Sequence, residues 1–413
     1  MRFESILSTA ALLGAASGAA IEKKAASTFS LLKSDKLAAQ GLANLGSYVK
    51  ANGYFDDSCT LENVAVRREW GNLTATEKKE YIAAVQCIST KASITPKEKC
   101  PGCVSRYDDF VATHINQTLT IHGTGNFLSW HRYFTWTYEQ ALRDECGYTG
   151  YQPYWNWPKY SDDPRKSPIF DGSETSMSGD GAYQEHSPVY VPSSALPYVT
   201  IPQAQGGGCV KSGPFTNFTV RLGPVSPAFE NLTANPQADG LGLNERCLRR
   251  DINPWVSSQW TNDLNTSSLI TSYTDVSTFQ TMMQGDFPNG FLGVHTGGHM
   301  TLNADPAGDL FASPGDPVRL RHPLKLILLP ARELNTDSFF LHHAQIDRVW
   351  WTWQNLDVAA RTFSVGGTIT LNNSPPSRNT TLDDVLDLQY TGGSITIRDA
   401  MSTVAGPFCY VYM

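Results

Sequence analysis

Apolar residues recur at helical spacing in several separate stretches of the chain, with polar loop sequence between them. Ser30 to Asn52 is a largely polar stretch that reads as a helix. A second helical region covers residues 62–90, where Asn72-Leu73-Thr74 opens the main run and Tyr81, Ile82, Val85 and Ile88 share a face. Tyr107 to His114 predicts a third. Leu128 to Arg143 predicts a fourth, with Leu128, Phe134, Tyr138 and Leu142 at helical spacing. Ser277–Gly285, Phe291–Met300 and Asn335–Leu356 complete the helical set. Between them, Tyr151 to Asn253 is rich in Pro, Gly and Ser and lacks a period, which predicts a surface insertion, partly a wall of a site mouth. The tail from Thr362 to Met413 alternates turns with short strands at Thr368–Leu371 and Ser394–Ile397. The pattern is that of a mainly α fold with long loops and a few short β-strands.

The N-terminus modifies that picture. Arg2, an apolar run from Ile6 to Ala16 and the small residues up to Ala20 predict a signal peptide over residues 1–20, leaving 21–413 as a single domain. The apolar run is too short to cross a bilayer. Lys23-Lys24 reads as a solvated pair rather than a second processing site. Eight cysteines, an even number, fit disulfides in an oxidising compartment, and Cys100-Pro-Gly-Cys103, without a second such pair, reads as a structural bridge. Sequons at Asn72, Asn116, Asn217, Asn231, Asn265, Asn372 and Asn379 predict N-linked glycans. The expectation is a secreted protein. A net charge of −7, with no basic stripe, argues against nucleic acid as a partner.

Chemistry concentrates in the nine histidines. His114, His122 and His131 lie in one stretch; His295, His299, His342 and His343 lie far downstream; His186 and His322 stand alone. His295 and His299 share a helix face at a spacing of i, i+4 and can converge on one ion, although such pairs also occur without metal. Thr296-Gly297-Gly298 between them is poor helix sequence, so something approaches closely. His114 and His122 would be roughly 12 Å apart along an unbroken helix. The chain is therefore expected to turn between them, with His114 ending one helix, His122 on a loop and His131 near the start of the next. No histidine has Glu three residues before it, as di-iron bundles do, and Thr296 stands where zinc peptidases carry Glu. Imidazole sets without carboxylates suit copper cycling between two oxidation states.

The stretches HGTGNFLSWHRYFTWTYEQALR and FFLHHAQIDRVWWTWQ resemble the two copper motifs of tyrosinases and catechol oxidases, in their short secreted fungal form. The resemblance runs from about Arg67 to Tyr412. It implies a four-helix bundle around a dinuclear copper centre, with His114, His122 and His131 on one ion and His295, His299 and His343 on the other. It makes His342 an orienting neighbour, Asp347 and Arg348 a buried acid–base pair, and Phe339 an aromatic beside the mouth. Tyr410-Val411-Tyr412 matches a closing Tyr-x-Tyr element that Arg67 or Arg68 would touch, with no C-terminal shielding domain expected after it. Thr120 replaces the cysteine that forms a thioether in many relatives, so none is expected. Thr296 replaces an Asn, and residues 291–294 hold no acid, in the place where monophenol-hydroxylating relatives hold a water. The implied activity is oxidation of o-diphenols to o-quinones by O2. Tyrosinase or o-aminophenol oxidase activity, a hemocyanin-like oxygen carrier and a zinc hydrolase are the alternatives.

Overall fold

The computed structural model describes residues 32–230, 232–316 and 339–413. The expected signal peptide, Lys23-Lys24, Asn231, His322 and the first residues of the expected last helix lie outside these. The first helix, α1, spans Lys33–Asn52. A short strand follows, β1 at Ala65–Arg67, and then α2 at Ala75–Thr90. The helix expected over 62–90 thus begins late. Thr74 fixes its start by a reciprocal cap: its hydroxyl accepts from Glu77 N at 3.2 Å while Glu77 Oε2 accepts from Thr74 N at 2.8 Å. Helices α3 at Arg106–Ile121 and α4 at Phe127–Cys146 come next.

Residues 151–253 depart from expectation. They form three two-stranded antiparallel pairs: β2 (Gly181–Tyr183) with β5 (Gly207–Val210), β3 (Val189–Ser193) with β4 (Leu196–Ile201), and β6 (Thr219–Val220) with β7 (Arg246–Cys247). They are not a surface layer, because Trp155, Trp157, Ile169, Phe170, Val210 and Phe215 are buried in the main core. A smaller core joins the β3–β4 pair to Phe229, Val256, Trp260 and Leu292. No period announces these residues because loops deliver them singly. Side chains then satisfy the loop carbonyls: Arg250 donates to Met177 and Ser178 at 2.7 and 3.0 Å while paired with Asp316.

Two helices follow that periodicity does not indicate, α5 at Pro254–Trp260 and α6 at Asp263–Ser272. Both start on capping side chains, Asn253 and Asn262, a signal present in the sequence. Then come α7 at Val276–Gln284, α8 at Gly293–Leu302 and α9 at Phe339–Leu356. Helices α3, α4, α8 and α9 carry every clustered histidine, with His122 at the end of α3, and α1 packs along α9. In the tail, Val385–Asp387 (β8) pairs with Ser394–Thr396 (β9), but the strand expected at Thr368–Leu371 reduces to a single bridge, Thr368 to Asn379. Tyr410–Tyr412 (β10) pairs in parallel with β1. All eight cysteines are joined, as Cys59–Cys409, Cys87–Cys146, Cys100–Cys103 and Cys209–Cys247.

Candidate metal centre

The histidines form two buried groups, His114, His122 and His131 in one and His295, His299, His342 and His343 in the other; within each, donor atoms lie within 4.8 Å of one another. The groups face each other. His131 stacks on His343 with ring centres 4.4 Å apart, and His122 lies 5.7 Å from His295.

The first group is assembled differently from the expectation. Helix α3 does not end at His114 but runs on to Ile121, and His122 is its C-cap in extended conformation. The His122 ring folds back along the helix so that Nδ1 meets the Thr118 carbonyl at 2.9 Å. This brings it 5.3 Å from the His114 ring despite the helical rise between them. His131 Nδ1 meets the Phe127 carbonyl at 2.8 Å, and His114 Nδ1 meets the Phe311 carbonyl at 2.8 Å. A carbonyl only accepts, so all three rings carry their proton on Nδ1 and keep the Nε2 lone pair. For His114 and His131 that Nε2 is buried and has no hydrogen-bond partner among the described residues.

In the second group, both ring nitrogens of His295 and of His343 are buried without a partner among the described residues. A buried polar atom left so costs about 1–3 kcal/mol, which an ion bound by neutral imidazoles removes. Burial pushes all seven imidazoles below the ordinary histidine range, His122 to about 4 and His299 to about 3, so they stay neutral donors. Neither group includes a carboxylate. The donor set fits two soft-to-borderline metal ions.

The glycines of α8 have a geometric cause. A Cβ on Gly298 would overlap the His342 ring, and one on Gly297 would lie 2.8 Å from Trp260 Cβ. His342 Nδ1 accepts from the Trp157 indole N–H at 3.1 Å. Thr296 is beside His295, but its hydroxyl donates to the Gln284 carbonyl at 2.6 Å. The side chain of Gln284 accepts from Gly123 N, next to His122, at 2.8 Å. Gln284 therefore ties the two groups together from one side.

Phe339 is 3% exposed. One helical turn before His343, it stacks on that ring at 4.2 Å and meets His114 at 5.4 Å, so it packs between the groups. Asp347 and Arg348 do not pair with each other. The Asp347 carboxylate is held by Arg132 at 2.6 Å and by the hydroxyls of Tyr410 and Tyr412, each at 2.6 Å, while Arg348 binds Asp35 at 2.7 Å. Both Asp347 oxygens are thus engaged by partners distant in sequence. Burial, with the Asp347 charge, pushes both tyrosine hydroxyls up, so they remain donors. Arg67, not Arg68, meets the Tyr-x-Tyr element: it donates to Tyr412 at 3.1 Å, lies over the Tyr410 ring and pairs with Glu139 at 2.7 Å. Arg132 follows His131, and Asp347 lies one turn beyond His343, so this pair is a second tie between the groups. Thr120 donates to the Gln117 carbonyl at 2.8 Å and no cysteine is free, so no thioether forms. His186 lies apart, against Asp251 at 3.1 Å. Sequence reasoning missed Trp157 and Gln284, whose roles arise from contacts distant in sequence.

Two facing, all-imidazole ion sites inside a helical bundle define a dinuclear metalloenzyme. Residues 104–322 match the common central domain of tyrosinase. A tyrosinase-like protein of Emericella nidulans is 40% identical over 330 residues, 76% of this chain and 81% of that one. Tyrosinase P of Aspergillus terreus is 38% identical over 351 residues, 84% and 91% of the two chains. The solved structure of a polyphenol oxidase variant from Thermothelomyces thermophila is 40% identical, covers 92% of this chain and 98% of its own, and superposes with a TM-score of 0.80. The chain belongs to the tyrosinase family. It is an oxidoreductase of the dinuclear copper type, acting with O2 on phenols.

Proposed function

We propose that this enzyme oxidises o-diphenols to o-quinones, with His114, His122 and His131 holding one copper and His295, His299 and His343 the other. Two catechols give up four electrons and four protons, and one O2 leaves as two waters. When bound, the copper pair supplies the redox couple between phenol and O2. The protein presents neutral imidazoles, those of His114, His122 and His131 with tautomers preset by main-chain carbonyls, ties the two groups through Gln284 and the Arg132–Asp347 pair, and excludes water by burial. His299, less buried than the other clustered histidines, marks the side from which a phenol enters.

The observation that carries the diphenol preference is at Thr296. Its only proton is directed to the Gln284 carbonyl, and residues 291–294 offer no acid that would hold a base near an incoming monophenol. The second reading, monophenol hydroxylation or o-aminophenol oxidation, draws on the relative named tyrosinase P. Oxygen uptake with catechol, tyrosol and 2-aminophenol separates them: rapid uptake with catechol and none with tyrosol is expected, and equal initial rates overturn the preference. Quinone formation from 4-tert-butylcatechol excludes a pure oxygen carrier. We further read residues 21–413 as one catalytic domain, exported and N-glycosylated. Among the described residues no helix is long and apolar enough to cross a membrane. The sequons at Asn72, Asn116, Asn217, Asn372 and Asn379 are exposed, whereas the Asn265 amide donates to the Gln259 carbonyl at 2.6 Å.

A further inference from the structure

The second group holds four imidazoles and the first holds three. Proximity alone does not select three from four. We propose that Trp157 makes the selection: its indole N–H, donated to His342 Nδ1, keeps His342 out of the ligand set and leaves the third place to His343. This rests on the reading above that His343 is a ligand.

An indole N–H can only donate. A neutral imidazole that accepts it at Nδ1 must carry its own proton on Nε2 and has no lone pair left for a metal. The opposite tautomer would set two N–H hydrogens against each other across 3.1 Å. The ring cannot escape by rotating. It lies where a Cβ of residue 298 would be, is 2% exposed, and is backed by the Trp157 ring at 5.2 Å, itself 1% exposed. His343 has no such donor on either nitrogen among the described residues. Trp157 is therefore a positioning residue that acts through His342. Its place in the segment 151–253 explains why that segment reaches into the core.

The test counts copper per chain after dialysis against a weak chelator. Wild type should hold two ions and His343→Ala one. Adding Trp157→Phe to His343→Ala removes the N–H, lets His342 offer a lone pair, and should raise the count back toward two. Adding His342→Ala as a third change should return it to one. Loosened packing can lower copper but cannot raise it, so a count that stays at one or falls, in a protein that keeps its first copper, overturns the proposal. If His343→Ala alone retains both ions, the ligand reading fails instead. A second measurement needs no substitution. Nitrogen NMR of the metal-free wild type should show His342 protonated on Nε2; protonation on Nδ1 overturns the proposal whatever the variants do.

Discussion

In the group of His114, His122 and His131, each ring leans on a main-chain carbonyl, and two of those carbonyls lie only four residues back along the chain. In the group of His295, His299, His342 and His343, orientation comes from elsewhere: a ring wedged against Gly298, an indole from residue 157, and a phenylalanine packed against His343. The first half-site is set largely by its own secondary structure. The second is set by packing between elements far apart in sequence. A half-site of the first kind tolerates remote changes, and one of the second kind does not.

The strongest break of this comparison removes a donor from each side. His131→Ala and His343→Ala should each leave one copper and reduce catechol turnover by more than the roughly 100-fold typical of outer-shell changes. Metal counting and oxygen uptake check this. Acid comes next, because it acts on both groups at once. In the folded chain burial holds His122 at about 4 and His299 at about 3, against 6.5 for an unhindered imidazole, with the other five also lowered. The unfolded chain therefore binds more protons as pH falls below 6.5. Stability of the metal-free protein is full above that pH and is lost progressively toward pH 4. Thermal melts across that window should show the fall; a flat profile would contradict the burial of the site.

Asp347→Ala tests the tie behind the two groups. It leaves Arg132 and Arg67 buried and short of a partner, which should cost about 3–5 kcal/mol in urea unfolding. Turnover per bound copper pair should fall by no more than the roughly 10–100-fold of an outer-shell change, whereas a catalytic Asp347 would lose almost all of it. The smallest change sharpens the contrast. Gly298→Ala should destabilise by about 1–3 kcal/mol and release the second copper before the first. Gly46→Ala on α1, where a Cβ meets nothing within 4 Å, should stabilise by about 0.5–1 kcal/mol. Loss of both ions together from the Gly298 variant would show the half-sites to be equally fragile.

How far the sequence could be read follows the same division. The histidine spacing and the helices around them were legible because a period of 3.6 residues and a donor pattern are local signals. The extent of α3 was not, because a ring folding back on Thr118 makes a turn of the chain unnecessary. Asp347 resembled a site residue by its motif, yet its partners Tyr410 and Tyr412 lie more than 60 positions away. Trp155 and Trp157 looked like loop residues because nothing periodic surrounds them, and only the folded chain brings them to the core.

The pairing of β1 with β10 joins residue 65 to residue 410, and the Cys59–Cys409 bridge fastens the same corner. During synthesis this seam has to wait for residues 409–412 to emerge, and so do the two tyrosine hydroxyls that donate to Asp347 beside Arg67 and Arg132. A polypeptide still short of residue 410 therefore leaves its first strand without a neighbour and the carboxylate behind the histidines without its two hydroxyl donors.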